Sequence, residues 1–140
     1  MNHSLNVTTQ PHGITRVEML ERREEARVVT LRIEARPDGD RVTITAPEHP
    51  AGETFLTGAS LTLEAATARA IARVLAHGEL AETVSFEEWP EPVMLIPDFE
   101  GVALSGDQFR EILCSYAPQD IARIAKAIDI ALMGAGRTAR

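Results

Sequence analysis

The stretch VTLRIEARPDGDRVTITA, residues 29–46, decides the fold. Its first part, VTLRIEA, alternates apolar and polar residues, and its last part, RVTITA, does the same. This alternation has the period of a half-buried strand. Residues 37–40, Pro-Asp-Gly-Asp, supply turn chemistry between the two parts, because Pro fixes φ and Gly accepts a positive φ. The stretch therefore predicts a β-hairpin.

Upstream of this hairpin, residues 15–26 are open to two interpretations. Thr15 and Glu18 have the spacing of a capping box, and the residues that follow are rich in helix formers. The rival is a strand that begins at Ile14. We favour a short helix. The polar residues 1–13 predict a flexible tail.

Downstream of the hairpin, the pattern predicts a loop, a third strand over residues 53–57 and then an amphipathic helix. Thr62 is a suitable N-cap for this helix, which is expected to run to about His77. Gly78 suits the end of the helix, where a positive φ is often required. Arg69 and Arg73 lie four residues apart and are expected to form a basic stripe on one helix face.

The second half of the chain predicts two or three further strands and two helices. Residues 83–89 and 93–96 have strand character and are joined through Pro90-Glu91-Pro92, which suits a sheet edge because Pro cannot donate to a ladder. Residues 99–104 are expected to extend the second of these strands. Ser105 and Gln108 form a capping box that predicts a helix over the residues up to Tyr116. Pro118 suits the first turn of a final helix.

These elements predict an α+β fold with a small mixed or antiparallel sheet and helices packed on one face, in the order (α)βββαββαα. The chain of 140 residues fits a single domain. We expect this domain to span residues 14–134, with flexible tails at 1–13 and 135–140.

Composition restricts the classes of function. Aromatic residues make up only 4% of the chain, which disfavours a base-stacking platform for single-stranded nucleic acid. No apolar run has the length of a membrane span, and the first residues lack the pattern of a secretory signal. Cys114 is the only cysteine, so no intrachain disulfide can form. We expect a cytoplasmic protein that binds neither membranes nor nucleic acid.

The net charge is local. Residues 79–107 hold eight acidic residues and no Lys or Arg, while the whole chain has a formal net charge of −7. A field of one sign steers partners of the opposite sign. Edge protection by solvated charge is the competing interpretation. The residues predicted to bind a partner are Glu82, Glu87, Glu88, Trp89, Glu91, Asp98 and Glu100.

Trp89 has two interpretations. Core anchoring is favoured, because burial of an aromatic side chain contributes much stability. An exposed Trp surrounded by acids would instead indicate an interface hot spot. Glu87 and Glu88 are adjacent, and adjacent residues of a strand point to opposite faces, so they are not expected to act together as a catalytic pair.

No catalytic or cofactor pattern is present. The sequence lacks the nucleophile-elbow, phosphate-loop and zinc-protease motifs. Cys114 is expected inside a helix as a structural thiol, and His77 in the last helical turn, where the helix dipole favours a cation. His49 with Glu48 gives two ligands, fewer than zinc usually takes. We expect no metal, no cofactor and no enzymatic activity.

The favoured function is a non-catalytic protein-binding module whose acidic hairpin engages a basic partner surface, as an inhibitor or antagonist that acts by charge mimicry. A homodimer is also expected, because apolar helix faces and edge strands leave surface for a twofold interface.

Three alternatives stay open. One is a small acidic dimeric secretion-type chaperone, since the predicted element order is similar, in topology only, to that of type III secretion effector chaperones. Another is a small-ligand binder or enzyme that uses Glu residues with His49 or His77. The third is a nucleic-acid binder that uses Arg69, Arg73 and the Arg-rich region 16–41, although the acids of that region largely cancel its charge.

Overall fold

A computed structural model describes residues 3–23, 26–37, 40–46, 59–99, 101–115 and 117–138. These residues form an α+β fold of two antiparallel sheets and two helices, which confirms the predicted fold class. The five-stranded sheet is called the first sheet and the four-stranded sheet the second sheet. The predicted third strand at 53–57 lies outside the described residues.

The first sheet is a meander in which each strand pairs with the next one along the chain. Its strands are β1 (His3–Thr9), β2 (Thr15–Arg23), β3 (Ala26–Ala35), β4 (Arg41–Thr45) and β5 (Ser60–Glu64). The predicted hairpin is confirmed as β3 and β4, with Ile33 opposite Ile44 and Glu34 opposite Thr43. The alternation of apolar and polar residues explains this pairing, because Ile33 and Ile44 are buried while Glu34 and Thr43 reach the outer face.

The predicted helix at 15–26 is wrong, because residues 15–23 form β2 and Ala26 begins β3. Thr15, Val17 and Met19 are buried at every second position, which is the period of a strand and not of a helix. A capping box is a local signal, and pairing with strands on both sides outweighs it here. Residues 3–9 of the predicted flexible tail form the edge strand β1.

The first helix, α1 (Ala65–Leu75), begins later than predicted. Thr62 is not its N-cap, since it lies in β5 and its hydroxyl is 3.1 Å from the hydroxyl of Thr43. Gly78, with φ of +75°, follows the helix as expected, and its N–H donates to the carbonyl of Leu75. His77 therefore lies just after the helix and not in its last turn.

The second sheet is also a meander. Its strands are β6 (Val84–Phe86), β7 (Val93–Asp98), β8 (Gly101–Gly106) and β9 (Phe109–Ser115). The helix predicted after Ser105 is wrong, because β8 and β9 form a hairpin with Gly106 opposite Phe109. Phe109 and Leu113 are buried on the same side of β9. Glu111 lies between them, and burial raises the pKa of its carboxyl.

The second helix, α2 (Pro118–Thr138), begins at the predicted Pro118 but continues past residue 134, where we expected a tail. It packs against α1, β2 and β3. Gly134 permits close approach to β2, since a Cβ at this position would come within 2.5 Å of the Thr15 hydroxyl. No helix of the described chain is long and apolar enough to cross a bilayer.

One hydrophobic cluster joins both sheets and both helices. Ile71 of α1 and Ile128 of α2 are fully buried in it. Gly106 of the second sheet approaches β5 so closely that a Cβ there would lie 2.9 Å from Leu61. The two sheets therefore share one core.

Candidate functional site

The connection between β6 and β7, residues 87–92, carries most of the exposed acids predicted to bind a partner, and we call it the Trp89 loop. Trp89 is 89% exposed, so the expectation that it anchors the core is wrong. Glu87 and Glu91 are exposed on either side of it. The loop therefore presents a large aromatic side chain to solvent between two carboxylates.

Glu88 fixes the Trp89 loop to the rest of the molecule. Its Oε1 accepts a hydrogen bond of 2.8 Å from the backbone N–H of Glu64. Glu64 is the N-cap residue of α1, where a carboxylate is favoured because the first N–H groups of a helix have no partner within the helix. Glu88 thus has a structural partner. Residues 87 and 88 lie beyond the end of β6, so the strand argument that separated Glu87 from Glu88 does not apply to them.

Two prolines restrict the backbone of the Trp89 loop. Pro90 follows Trp89 through a cis peptide bond, and Pro92 precedes β7. Each ring fixes its own φ near −65°, so few backbone conformations are open to the segment. With Glu88 held at the start of α1, the backbone that carries Trp89 is restricted on both sides, while the ring itself is largely in water.

The second sheet separates the predicted partner-binding residues into two groups. Phe86 lies opposite Val93, so the Trp89 loop is at the amino end of β7. Val84 lies opposite Leu95, which places Glu82 toward the other end, near Asp98. Six residues of β7 span roughly 20 Å, so these groups do not form one continuous surface.

A second exposed aromatic residue lies at the carboxyl end of β7. Phe99 is 87% exposed and follows Asp98 directly. Asp98 forms an ion pair of 3.2 Å with Arg110, so its charge is partly balanced within the chain. Glu100 lies outside the described residues. Sequence reasoning did not select Phe99, because a single exposed hydrophobic residue leaves no periodic pattern.

The acids at the amino end of β7 include one that we did not select. Asp107 is exposed in the turn between β8 and β9. This turn lies at the same end as the Trp89 loop, because a Cβ on Gly106 would lie 3.4 Å from Val93. The exposed acids near Trp89 are therefore Glu87, Glu91 and Asp107. One exposed base, Arg41, lies opposite Glu64, to which Glu88 of the loop is bonded.

A cleft of about 510 Å³ lies at the opposite end of the second sheet. Its wall includes His77, Glu79 and Asp98, together with apolar residues such as Val102 and Ile121. His77 and Glu79 are exposed. The cleft thus combines a titratable imidazole and carboxylates with an apolar wall, which is the composition of many small-ligand sites.

A buried polar cluster joins β1 and β2 to α2, and sequence reasoning did not find it. His3 is 7% exposed and Asp120 is 1% exposed, with His3 Nδ1 3.3 Å from Asp120 Oδ2. Arg123 donates to Asp120 at 3.0 Å and to the carbonyl of His3. Glu21 Oε2 lies 4.0 Å from His3 Nε2. This cluster ties the first strand to the last helix.

Cys114 lies beside this cluster, in β9 and not in the predicted helix. Its thiol is 3.7 Å from the sulfur of Met19 and 3.9 Å from the carbonyl of Asp120. Burial raises the pKa of this thiol to about 12, and the carboxylates of Asp120 and Glu21 add to the shift. A thiol of this kind is a weak nucleophile at neutral pH.

Among the described residues, no group of three or more His, Cys, Asp and Glu side chains could hold a metal ion. No protein-family model matches the chain, and comparison with curated proteins and with solved structures found no similar protein.

Proposed function

We propose that the protein is a non-catalytic binding module whose Trp89 loop engages a basic surface of a protein partner. The observation that supports this most is the 89% exposure of Trp89, since a Trp side chain left in water forgoes the stabilisation that burial would give. Trp is enriched among residues that dominate binding energies when a partner covers them.

The charges around Trp89 indicate the chemistry of the partner. Glu87, Glu91 and Asp107 are exposed at the same end of the second sheet. Carboxylates attract Arg and Lys side chains over a distance of about 8–10 Å at ordinary salt concentrations. An Arg or Lys of the partner can also stack on the face of the indole ring as a cation–π contact. A basic protein surface satisfies both features.

One form of this proposal is an antagonist that occupies the nucleic-acid-binding groove of its partner. Carboxylates presented by the Trp89 loop would take the place of phosphates, and the indole ring that of a base. Competition between the protein and a DNA or RNA oligonucleotide for the same partner tests this form directly.

The homodimer expected from the sequence belongs to this proposal too. The helix faces on which that expectation partly rested are covered by the core, so its support comes from the edge strands. Two Trp89 loops on one dimer would increase the apparent affinity for a partner with two basic patches, because the second contact forms within the complex.

The single Trp makes the test direct, because all tryptophan fluorescence of the chain comes from position 89. Titration with an Arg-rich peptide at low and high salt should quench or shift the emission, with weaker binding at high salt. A Glu-rich peptide of equal length is the control. Emission that does not respond to the Arg-rich peptide at low salt would contradict the proposal.

A pull-down from an extract of the source cell then captures the native partner, with two matched variants of the protein as bait. Trp89→Ala combined with Glu87→Lys and Glu91→Lys changes the Trp89 loop but retains Glu88, which holds the loop in place. Phe99→Ala combined with Glu82→Lys makes comparable changes at the other end of β7. A partner that binds the second variant but not the first supports the proposal, and equal binding to both overturns it.

The cleft beside His77 supports a second candidate, a small-ligand binder or enzyme. His77, Glu79 and Asp98 converge on a space of about 510 Å³, enough for a small organic ligand. A fragment mixture followed through the imidazole NMR signals of His77 tests it, with His77→Ala to assign the signals. Signals that no fragment shifts would reject this candidate.

A further inference from the structure

The outer edge of β1 is open. β1 pairs with β2 on one side, and no strand of the described chain pairs with it on the other. The N–H of Gln10 donates to the carbonyl of Ile14, which fixes the alternation of hydrogen bonds along the β1–β2 ladder. From this alternation, the backbone groups of Leu5, Val7 and Thr9 point away from β2 and toward solvent.

The contact of Arg123 agrees with this assignment. Its guanidinium donates to the carbonyl of His3, which is two residues before Leu5 and so points to the same side. Arg123 satisfies one acceptor at the end of the strand. The remaining described groups along this edge have the geometry of a strand that awaits a neighbour.

The other described edge strands are shorter than β1 or contact another part of the chain. In β5 the N–H of Glu64 donates a hydrogen bond to Glu88. β6 is only three residues long, and β9 contacts α2. β1, by contrast, has seven residues with no Lys, Arg, Asp, Glu or Pro and no bulge. Sheet edges usually carry such features, because they prevent pairing with another chain.

The sequence of β1 is self-complementary in antiparallel pairing. If Asn6 lies on a twofold axis, Leu5 of one copy is opposite Val7 of the other, and His3 is opposite Thr9. Val7 is 49% exposed and points to the same face as the half-buried Leu5, so the pairing would cover it. Residues on the opposite face, Ser4, Asn6 and Thr8, are uncharged.

The charges beyond β1 do not oppose this contact. On β2 the nearest charged residues of the outer face are Arg16 and Glu18, and each forms an ion pair with β3. Two copies would therefore meet with balanced charge, although the chain has a formal net charge of −7. The acids that dominate this charge lie on the second sheet.

We propose that two copies of the chain pair through β1, antiparallel and with Asn6 on the twofold axis, to form a continuous ten-stranded sheet. The proposal names the surface of the homodimer included in the proposed function, but it does not depend on the Trp89 loop. Its contacts are the hydrogen bonds between Leu5 and Val7 of the two copies and the packing of these side chains.

A disulfide test reports the register. In a non-hydrogen-bonded antiparallel pair the two Cα atoms are about 4.5 Å apart, within the range of a disulfide. Asn6→Cys should therefore give a covalent dimer under mild oxidation. Ser4→Cys is the matched control, because it is exposed on the same face, but its counterpart would be roughly 13 Å away along the strand. The wild-type protein, in which Cys114 is the only thiol, shows how much cross-linking comes from that residue.

Light scattering and sedimentation then measure the assembly in solution. We expect a mass of twice 15.3 kDa for the wild type. Val7→Pro removes an N–H that points away from β2, and it should raise the dimer dissociation constant at least about tenfold with the fold retained. Val7→Lys, a charge on the same edge, is the second variant if Val7→Pro is poorly folded.

Three results would overturn the proposal. The first is a wild-type mass of 15.3 kDa at all concentrations. The second is equal cross-linking of Asn6→Cys and Ser4→Cys, which indicates random collision. The third is a dimer that neither Val7 variant weakens, which places the interface elsewhere. Trp89→Ala should leave the dimer intact, so failure of this proposal and failure of the Trp89 proposal can be told apart.

Discussion

The two sheets of this molecule differ in how their charged residues are arranged. On the outer face of the first sheet, Arg16 pairs with Glu34 at 3.0 Å and Arg32 pairs with Glu18 at 3.1 Å. These residues lie directly opposite one another on β2 and β3. On the second sheet and its loops, residues 79–107 contain no base, and exposed acids surround Trp89.

The difference shows that the location of charge carries more information than its sum. Cross-strand pairs of opposite charge stabilise a sheet modestly and leave little field beyond it. In the second sheet Asp98 pairs with Arg110, whereas exposed acids such as Glu87 and Glu91 have no described ion pair and leave a field that other molecules can sense. The first sheet thus uses its charges within the fold, whereas the second sheet has carboxylates left for a partner.

The largest expected effect tests whether the two sheets unfold as one unit. Ile128→Ala removes packing of α2 on the first sheet, and Leu95→Ala removes packing within the second sheet. Each should lower the free energy of unfolding by about 2–5 kcal/mol, because each leaves a cavity. Chemical denaturation followed by circular dichroism and by Trp89 fluorescence measures both changes.

A matched pair of controls accompanies this measurement. Ile71→Ala should cost a similar amount, because Ile71 is also fully buried, whereas Thr62→Ala on the outer face should cost less than about 1 kcal/mol. Separate transitions for the two signals, or a loss below about 0.5 kcal/mol at all three apolar sites, would contradict a shared core.

The second prediction concerns Cys114, which touches Met19 and so lies where the two sheets meet. Burial raises the pKa of this thiol from 9.0 to about 12. At pH 8 its alkylation by iodoacetamide should be at least about 100-fold slower in the folded than in the unfolded protein, because little thiolate is present. Mass spectrometry measures the rate, and the exposed thiol of Ser4→Cys is the control.

The same shift gives a pH dependence with a definite sign. The folded state favours the protonated thiol, so its contribution to stability is complete below about pH 9 and is lost as the pH rises toward 12. Cys114→Ala should therefore flatten the decline of stability over this range. Alkylation of Cys114 as fast as that of Ser4→Cys would show that the junction between the sheets is open.

The smallest expected effects bear on the charges themselves. Arg16→Ala and Glu34→Ala, with the double variant, should give a coupling energy of about 0.2–1 kcal/mol that decreases as salt is added. Glu87→Gln with Glu91→Gln should change stability by less than about 0.5 kcal/mol, because these carboxylates have no described partner in the fold to lose. If the Arg16 and Glu34 variants and the Glu87 and Glu91 variants lost equal stability, the two sheets would not differ in how they use charge.

The sequence was sufficient to predict a helix or strand where local and tertiary signals agree. The hairpin of β3 and β4 combines alternation on both strands with turn residues between them, and α2 combines an N-terminal Pro with a long apolar face. At β2 and β9 the signals disagree. β2 begins with the spacing of a capping box, and a second such spacing directly precedes β9, yet the buried residues, such as Val17 and Met19, follow the period of a strand.

The candidate site was predicted in part, and the reason for the rest is geometric. The sequence identified the acids and Trp89 but favoured burial of the ring, because composition does not show which side of a loop faces the core. The contact between Glu88 and Glu64 joins residues that are far apart in the sequence, and so does the contact between His3 and Asp120. No periodicity of one segment reports such contacts.

The position of α2 has a consequence for synthesis on the ribosome. The inner faces of β2 and β3 emerge well before α2, the helix that covers them, because α2 follows them by about eighty residues in the chain. At about 5–20 residues per second, several seconds pass before this helix leaves the exit tunnel. During that time the nascent chain carries an apolar sheet face without its cover, as a substrate for chaperones that bind such surfaces.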